Sequence, residues 1–272
     1  MKEDWHIKPR LFKQALPQFE PLCDVETIAE MASDEDIESR LIQHGKAGWT
    51  LEHGPFDELP AITQKAWTVL VQGIDHHLPE AYDLLQQFRF IPDARLDDVM
   101  LSLASDGGGV GPHYDSYDVF LLQMHGKRRW KIGPLQDREL QDNVPLKILK
   151  NFQATEEFLL EPGDMLYLPP NYGHDGVAEG PCSTLSIGFR APSKAEVLAG
   201  ILRDLADHVE KDPVMANSLF SDPGRGIQTN PAEIPDDILN FGVELISNFT
   251  AQSQQIQGSI ACMLTEPKPH VY

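Results

Sequence analysis

The segment Gly107-Gly108-Gly109-Val110-Gly111-Pro112-His113-Tyr114-Asp115 and the distant His174 hold the residue types with the greatest chemical reach. His-x-Asp with a later His is the donor set of a 2-His-1-carboxylate facial triad. Such a triad covers one face of an octahedral Fe(II) and leaves the other positions to a cosubstrate and O₂. The i, i+2 spacing suits an extended segment. Side chains two apart point the same way there, so His113 and Asp115 can reach one ion. His174 must then arrive on another strand that folds back alongside. By itself His-x-Asp is a weak signal, common by chance, and it gains weight only from its surroundings.

Glu161-Pro162-Gly163-Asp164, ahead of His174, has proline and glycine where a turn wants them. Met165 to Leu168 then reads as a short apolar strand, stopped by Pro169 and Pro170. Asn171, Tyr172 and Gly173 are expected to bend and deliver His174 to a rim. Turn, strand, proline stop and histidine match the second half of a cupin-type metal site. Between the two halves, Asp118 to Met124 favours a strand, Gly126 predicts a turn, and Lys127 to Ile132 predicts a returning strand. Period-2 alternation puts Arg128, Trp130 and Ile132 on one face, with Lys127, Arg129 and Lys131 on a solvated one. A lone Arg on an inward face needs an anion, because an unpaired buried charge is very costly. Either an internal Asp or Glu supplies it, or a ligand carboxylate does, gripped by the guanidinium fork. Beside a facial triad that ligand would be 2-oxoglutarate. Trp130 itself reads as core.

The strand predicted from Asp97 to Ala104 places Asp98, Met100, Ser102 and Ala104 on one face, and Asp97, Val99, Leu101 and Leu103 on the other. A carboxylate, a thioether and a hydroxyl together fit a polar cavity better than a packed core. The plain alternative for Asp98 is a solvated strand-end carboxylate. The other histidines are isolated and read as surface or loop residues. His76 and His77 are adjacent, so they point apart and do not suit one metal.

These motifs, with Tyr117-Asp118-Val119-Phe120, Gly126-Lys127-Arg128-Arg129-Trp130 and Ser186-Ile187-Gly188-Phe189-Arg190-Ala191-Pro192, resemble the bacterial JmjC ribosomal oxygenases over nearly the whole chain. The resemblance implies a double-stranded β-helix and dependence on Fe(II), 2-oxoglutarate and O₂. Mn, Ni, Co or Zn at the triad would stand in for Fe(II). It implies that His113, Asp115 and His174 hold the metal and that Arg128 anchors 2-oxoglutarate with Ser102 nearby. The substrate would be an arginine of a large-subunit ribosomal protein, hydroxylated at Cβ in a pocket of Asp98, Met100, Tyr117 and Ser186. Asp98 would pair with the guanidinium while Met100 and Tyr117 flank its plane and stem. The resemblance also implies a homodimer built by the C-terminal helices. Related proteins continue past a proline-rich stretch like Glu266–Tyr272 into a winged-helix domain, so the chain reads as a shortened form.

The elements that must position these residues follow the same plan. The chain has 272 residues, enough for one β-barrel and a smaller helical region. Residues 1–192 are expected to form a mainly β, cupin-type jelly roll with mixed α/β elements ahead of it, including a helix from Pro79 to Gln87. Residues 193–272 are expected to be helical. Ser193-Lys194-Ala195-Glu196 has capping-box spacing, and a second amphipathic helix is predicted from Ile238 to Ser253. Cys23, Cys182 and Cys262 are odd in number and far apart, which is no disulfide framework and suits a reducing cytoplasm. No apolar run reaches membrane-spanning length, and the first residues lack a signal-peptide core. A net charge of −20 argues against direct nucleic-acid binding and suits a basic protein partner. Three readings compete with an arginine hydroxylase: a relative acting on a ribosomal histidine, a metal-binding cupin without oxygenase chemistry, and a non-enzymatic acidic interaction protein.

Overall fold

The structure, a computed structural model, describes residues 3–17, 19–46, 48–227, 229–230 and 232–265. Glu266–Tyr272 lie outside the described residues. The chain divides between Ala191 and Pro192 into two compact units.

In the first unit, short β-favouring runs punctuated by Gly, Pro and Asp become, among the described residues, nine antiparallel strands. These are β1 (Arg10–Phe12), β2 (Ser39–Gly45), β3 (Gly48–His53), β4 (Trp67–Val71), β5 (Leu96–Ala104), β6 (Val119–Pro134), β7 (Glu156–Leu160), β8 (Met165–Leu168) and β9 (Tyr172–Phe189). Their order is β1-β8-β6-β9-β5-β4-β2-β3, with β7 beside the distal half of β6. This is the expected mainly β jelly roll. Helix α1 (Val25–Ser33), capped by Asp24, and α2 (Pro79–Gln86), with proline in its first turn, bury Ile28, Met31, Leu84 and Leu85 in the larger core. A smaller core gathers Val119, Leu121, Trp130, Ile132, Leu160, Leu166 and Leu168.

Two local expectations need correction. Gly126 does not turn a hairpin. β6 runs straight through it as one strand of 16 residues, paired with β9 from Val119↔Gly188 to Pro134↔Tyr172. The register shifts between Gln123 and His125 and again before Lys127. Gly126 takes a left-handed φ of 64° there, so the glycine serves a β-bulge. Between Gln123 and His125 one extra residue enters β6 and flips its phase, and between His125 and Lys127 two extra residues enter β9. Val119 and Leu121 face the smaller core before the bulge, and Trp130 and Ile132 face that core after it. The bend expected over Asn171, Tyr172 and Gly173 is shorter than that, since Tyr172 and Gly173 already belong to β9. The turn is Pro170 and Asn171, the latter with φ 58°, and β9 already contains His174.

The second unit is helical. α3 (Lys194–Lys211) opens with the predicted capping box between Ser193 and Glu196. α4 (Pro213–Asn217) follows, then α5 (Asp236–Asn248) and α6 (Ser253–Thr265). The helix expected from Ile238 to Ser253 therefore ends at Asn248, and α6 is a separate helix that was not expected. Phe249 is extended and closes α5, and the Asn-Phe-Thr run there has poor helix propensity. Gly200 of α3 meets Met263 of α6, and Ser259 of α6 bonds Asp204 of α3.

Candidate metal centre and its cavity

The glycine-rich loop after β5 ends in an extended stretch that docks on the start of β9. His113 and His174 exchange backbone hydrogen bonds at 2.9 and 2.8 Å, which is a closely spaced antiparallel pair. Asp115 is tied to the β8–β9 corner, its carbonyl accepting from Asn171 N at 2.7 Å. Backbone pairing alone thus brings the three side chains together, and their donor atoms all lie within 4.8 Å of one another. The His113 and His174 rings stand 4.2 Å apart, and His174 Nε2 is 3.5 Å from Asp115 Oδ2.

Second contacts fix which nitrogen each imidazole presents. His113 Nδ1 lies 2.9 Å from Gly111 O, and His174 Nδ1 lies 3.0 Å from Tyr172 O. A carbonyl only accepts, so both Nδ1 atoms carry the proton and both Nε2 lone pairs are free for a metal. Burial, and then the neighbouring His113, push the His174 pKa down to about 4. Its imidazole is therefore neutral at pH 7, the form that coordinates. Two imidazole nitrogens and one carboxylate fit Fe(II) and its divalent stand-ins.

The triad opens into a cavity of about 260 Å³. Asp98, Met100, Ser102, Tyr117, Arg128 and Ser186 all line it. Alternation along β5 sends Asp98, Met100 and Ser102 the same way, and Ser186 lies between them and β6, paired with Met100 and Leu121. Arg128 is 4% exposed. Its Nη1 donates to Ser102 Oγ at 3.0 Å, while its Nε and Nη2 are buried with no partner among the described residues. Among the described residues it has no Asp or Glu partner. By contrast, Arg129 on the opposite face pairs with Glu157 and Glu179, and Lys127 pairs with Glu161. The expected solvated basic stripe is thus neutralised by acids of β7 and β9 and of the turn after β7.

Asp98 is buried, and its Oδ2 accepts from Gln72 Nε2 at 2.9 Å and from Gly73 N at 3.3 Å. Gln72 in turn accepts from Arg40, which also lines the cavity. Gln72 and Arg40 carried no motif, and only the β2–β4–β5 pairing brings them here. Tyr117 is 37% exposed. Burial and the nearby Asp115 raise its pKa, so the hydroxyl stays a neutral donor. Trp130, read from sequence as core, does pack in the smaller core, but it also lines the cavity. Among the described residues, no other histidine joins the triad.

A jelly roll with a 2-His-1-carboxylate cluster between its strands defines a class, and the JmjC domain family matches residues 83–197. The ribosomal protein uL16 3-hydroxylase of Escherichia coli (strain K12) is 36% identical over 253 residues, 91% of this chain and 66% of that protein. An X-ray structure of E. coli ycfD superposes with a TM-score of 0.80 at 30% identity, covering 98% of this chain and 71% of that one. The structure of YcfD, a ribosomal oxygenase from E. coli, in complex with cobalt and 2-oxoglutarate gives 0.78 at 29% identity, with 98% and 69% covered. This chain belongs to the JmjC ribosomal oxygenase family.

Proposed function

We propose that this chain is an Fe(II)- and 2-oxoglutarate-dependent oxygenase that hydroxylates Cβ of an arginine in a large-subunit ribosomal protein. The observation that carries the reading is Arg128, a buried cation with two unpaired nitrogens in the same cavity as the triad. Such a group is far too costly to keep without an anion, and a dicarboxylate spanning from Arg128 to the triad supplies one. The complex of E. coli YcfD with cobalt and 2-oxoglutarate supports this choice.

His113, Asp115 and His174 would hold the metal. Bound Fe(II) supplies the activation of O₂ that is coupled to conversion of 2-oxoglutarate to succinate and CO₂. The chain's own part is positioning and exclusion of water. Arg128 and Ser102 orient the cosubstrate. Asp98, with one oxygen already fixed by Gln72 and Gly73, presents a rigid carboxylate to a substrate guanidinium. Met100 and Tyr117 flank the arginine, and Ser186 closes the floor between β5 and β6. Asp98 favours a cationic acceptor over histidine.

The net charge of −20 suits a basic ribosomal protein as partner. The exposed Leu239, Val243 and Ile246 of α5 suit burial in a homodimer. The enzyme would work in the cytoplasm. No helix among the described residues is long and apolar enough to cross a membrane.

The test is incubation with Fe(II), 2-oxoglutarate and arginine-containing peptides of large-subunit ribosomal proteins, under air. One peptide should gain a single oxygen at an arginine, with an equal amount of succinate. Succinate without peptide oxidation for any arginine peptide would sink the substrate assignment. No succinate at all would sink the oxygenase.

A further inference from the structure

The indole of Trp130 packs on Gly176 and lies near the Arg128 guanidinium and the His174 ring. It is 5% exposed. Its six-membered edge rests on the backbone of Gly176, where an added Cβ would sit 2.6 Å from Cη2 and Cζ3, so only glycine permits this seat. That contact turns the ring's Nε1 edge away from β9. Nε1 is buried and has no acceptor among the described residues. A buried donor left unpaired costs far more than an ordinary hydrogen bond contributes.

Three such donors fall on two neighbouring residues of β6. They are Trp130 Nε1, Arg128 Nε and Arg128 Nη2. The Arg128 guanidinium carbon lies 5.8 Å from the indole centroid, and the indole lies 5.9 Å from the His174 ring. In the β6–β9 register Trp130 falls between Arg128 and the pair that holds His174, and all three side chains line the cavity. A cation with two free donors, beside a third donor on a rigid ring, calls for one anionic acceptor with several lone pairs.

We propose that Trp130 Nε1 is a second hydrogen-bond donor, beside Arg128, to the distal carboxylate of the dicarboxylate cosubstrate. This rests on the reading of the site as a 2-oxoglutarate site. The role differs from that of a core tryptophan because it depends on the N–H and not on the ring. Phe at 130 keeps most of the ring's volume and lacks the N–H.

The experiment is calorimetric binding to the full chain with saturating Mn(II), without O₂. Two ligands are compared, 2-oxoglutarate and 2-oxobutyrate, which has the same oxoacid end and no distal carboxylate. In Trp130→Phe, 2-oxoglutarate should bind about 10-fold more weakly, the expected loss of a hydrogen bond to a charged group. Binding of 2-oxobutyrate should change less than about 2-fold, within the scatter of additive, uncoupled effects. Unchanged 2-oxoglutarate affinity, or equal weakening of both ligands, would overturn the proposal. Should the phenylalanine variant fold poorly, benzothienylalanine at position 130 replaces N–H by sulfur on the same bicyclic frame, with the same expectations. A wild-type protein that ignores 2-oxoglutarate sinks the site reading as a whole. A wild type that binds it, with a variant indistinguishable from it, sinks only the role of Trp130.

Discussion

Arg128 and Arg129 are adjacent, yet one is buried with two idle nitrogens and the other is paired with Glu157 and Glu179. Under the proposed function, Arg128→Ala should raise the apparent KM for 2-oxoglutarate about 30-fold or more, since losing a buried charge-assisted pair costs roughly 2–5 kcal/mol. Arg129→Ala should leave that KM within about 2-fold, because exposed pairs contribute little. Succinate assays on both variants decide, and similar effects would mean the wrong arginine has been chosen. Asp98→Ala should leave 2-oxoglutarate turnover without peptide largely intact and cut peptide hydroxylation at least about 10-fold. Equal loss of both activities would make Asp98 structural. His174 sets a pH dependence. Its folded pKa of about 4 lies below the ordinary 6.5, because burial and then His113 disfavour the charged ring. Between those values the unfolded chain binds more protons, so the metal-free protein should lose stability as pH falls from 6.5 toward 4. Urea midpoints at pH 7 and 5 measure it, and His174→Gln should flatten that slope. At this scale the triad was readable because donor type and i, i+2 spacing are local properties. Gln72 and Trp130 were not. One reaches the cavity only through pairing of distant strands, and the other looks like any core aromatic.

Within elements, the phase of β6 depends on the bulge at Gln123–Lys127. Gln123 is fully buried. Its side chain donates to His125 O at 2.8 Å and accepts from Thr184 Oγ1 at 3.0 Å, which holds the extra residue in place. Gly126→Ala adds a Cβ 2.2 Å from Pro181 O, on a backbone with φ of 64°. The variant should lose roughly 1–3 kcal/mol of stability. Differential scanning calorimetry reads the loss, and an unchanged melting temperature would show that the bulge relaxes freely. A glycine between two β-favouring runs signals a turn and a bulge alike, so the expected hairpin and the observed continuous strand share one sequence signature. What separates them is β9, a strand of 18 residues that pairs with both halves of β6. Alternation on each side of Gly126 was legible; the phase relation between the sides was not. The helices show the same limit. The capping box of α3 is a local signal and was readable, whereas the break at Phe249 hides inside an apolar pattern and α6 has only a weak one.

For the whole molecule, the metal should act as a ligand of the native state alone. Mn(II) at about 100 times its Kd should add about 2.7 kcal/mol to stability. A raised melting temperature in wild type, absent in His174→Ala, is the expected result, and a shift of equal size in the variant would place the ion elsewhere. The acidic surface belongs to this scale too. Its charge was plain in the sequence, but the pairing of Lys127 and Arg129 with β7, β9 and the turn after β7 was not, since those glutamates are remote in the chain.

His113 and His174 are joined by a pair of backbone hydrogen bonds, and the residues between them include all of β6, β7 and β8. The donor set therefore does not exist until the long loop from His113 to His174 has closed, which is a late event in a chain dominated by non-local contacts. The ion cannot template the route to the native state; it can only retain the finished product. Its contribution should appear in the escape rate and not in the rate of arrival. In stopped-flow experiments, Mn(II) should leave the refolding limb of the chevron unmoved and lower the unfolding limb. The barrel would then act as a ratchet for the metal, easy to enter once built and slow to come apart while occupied.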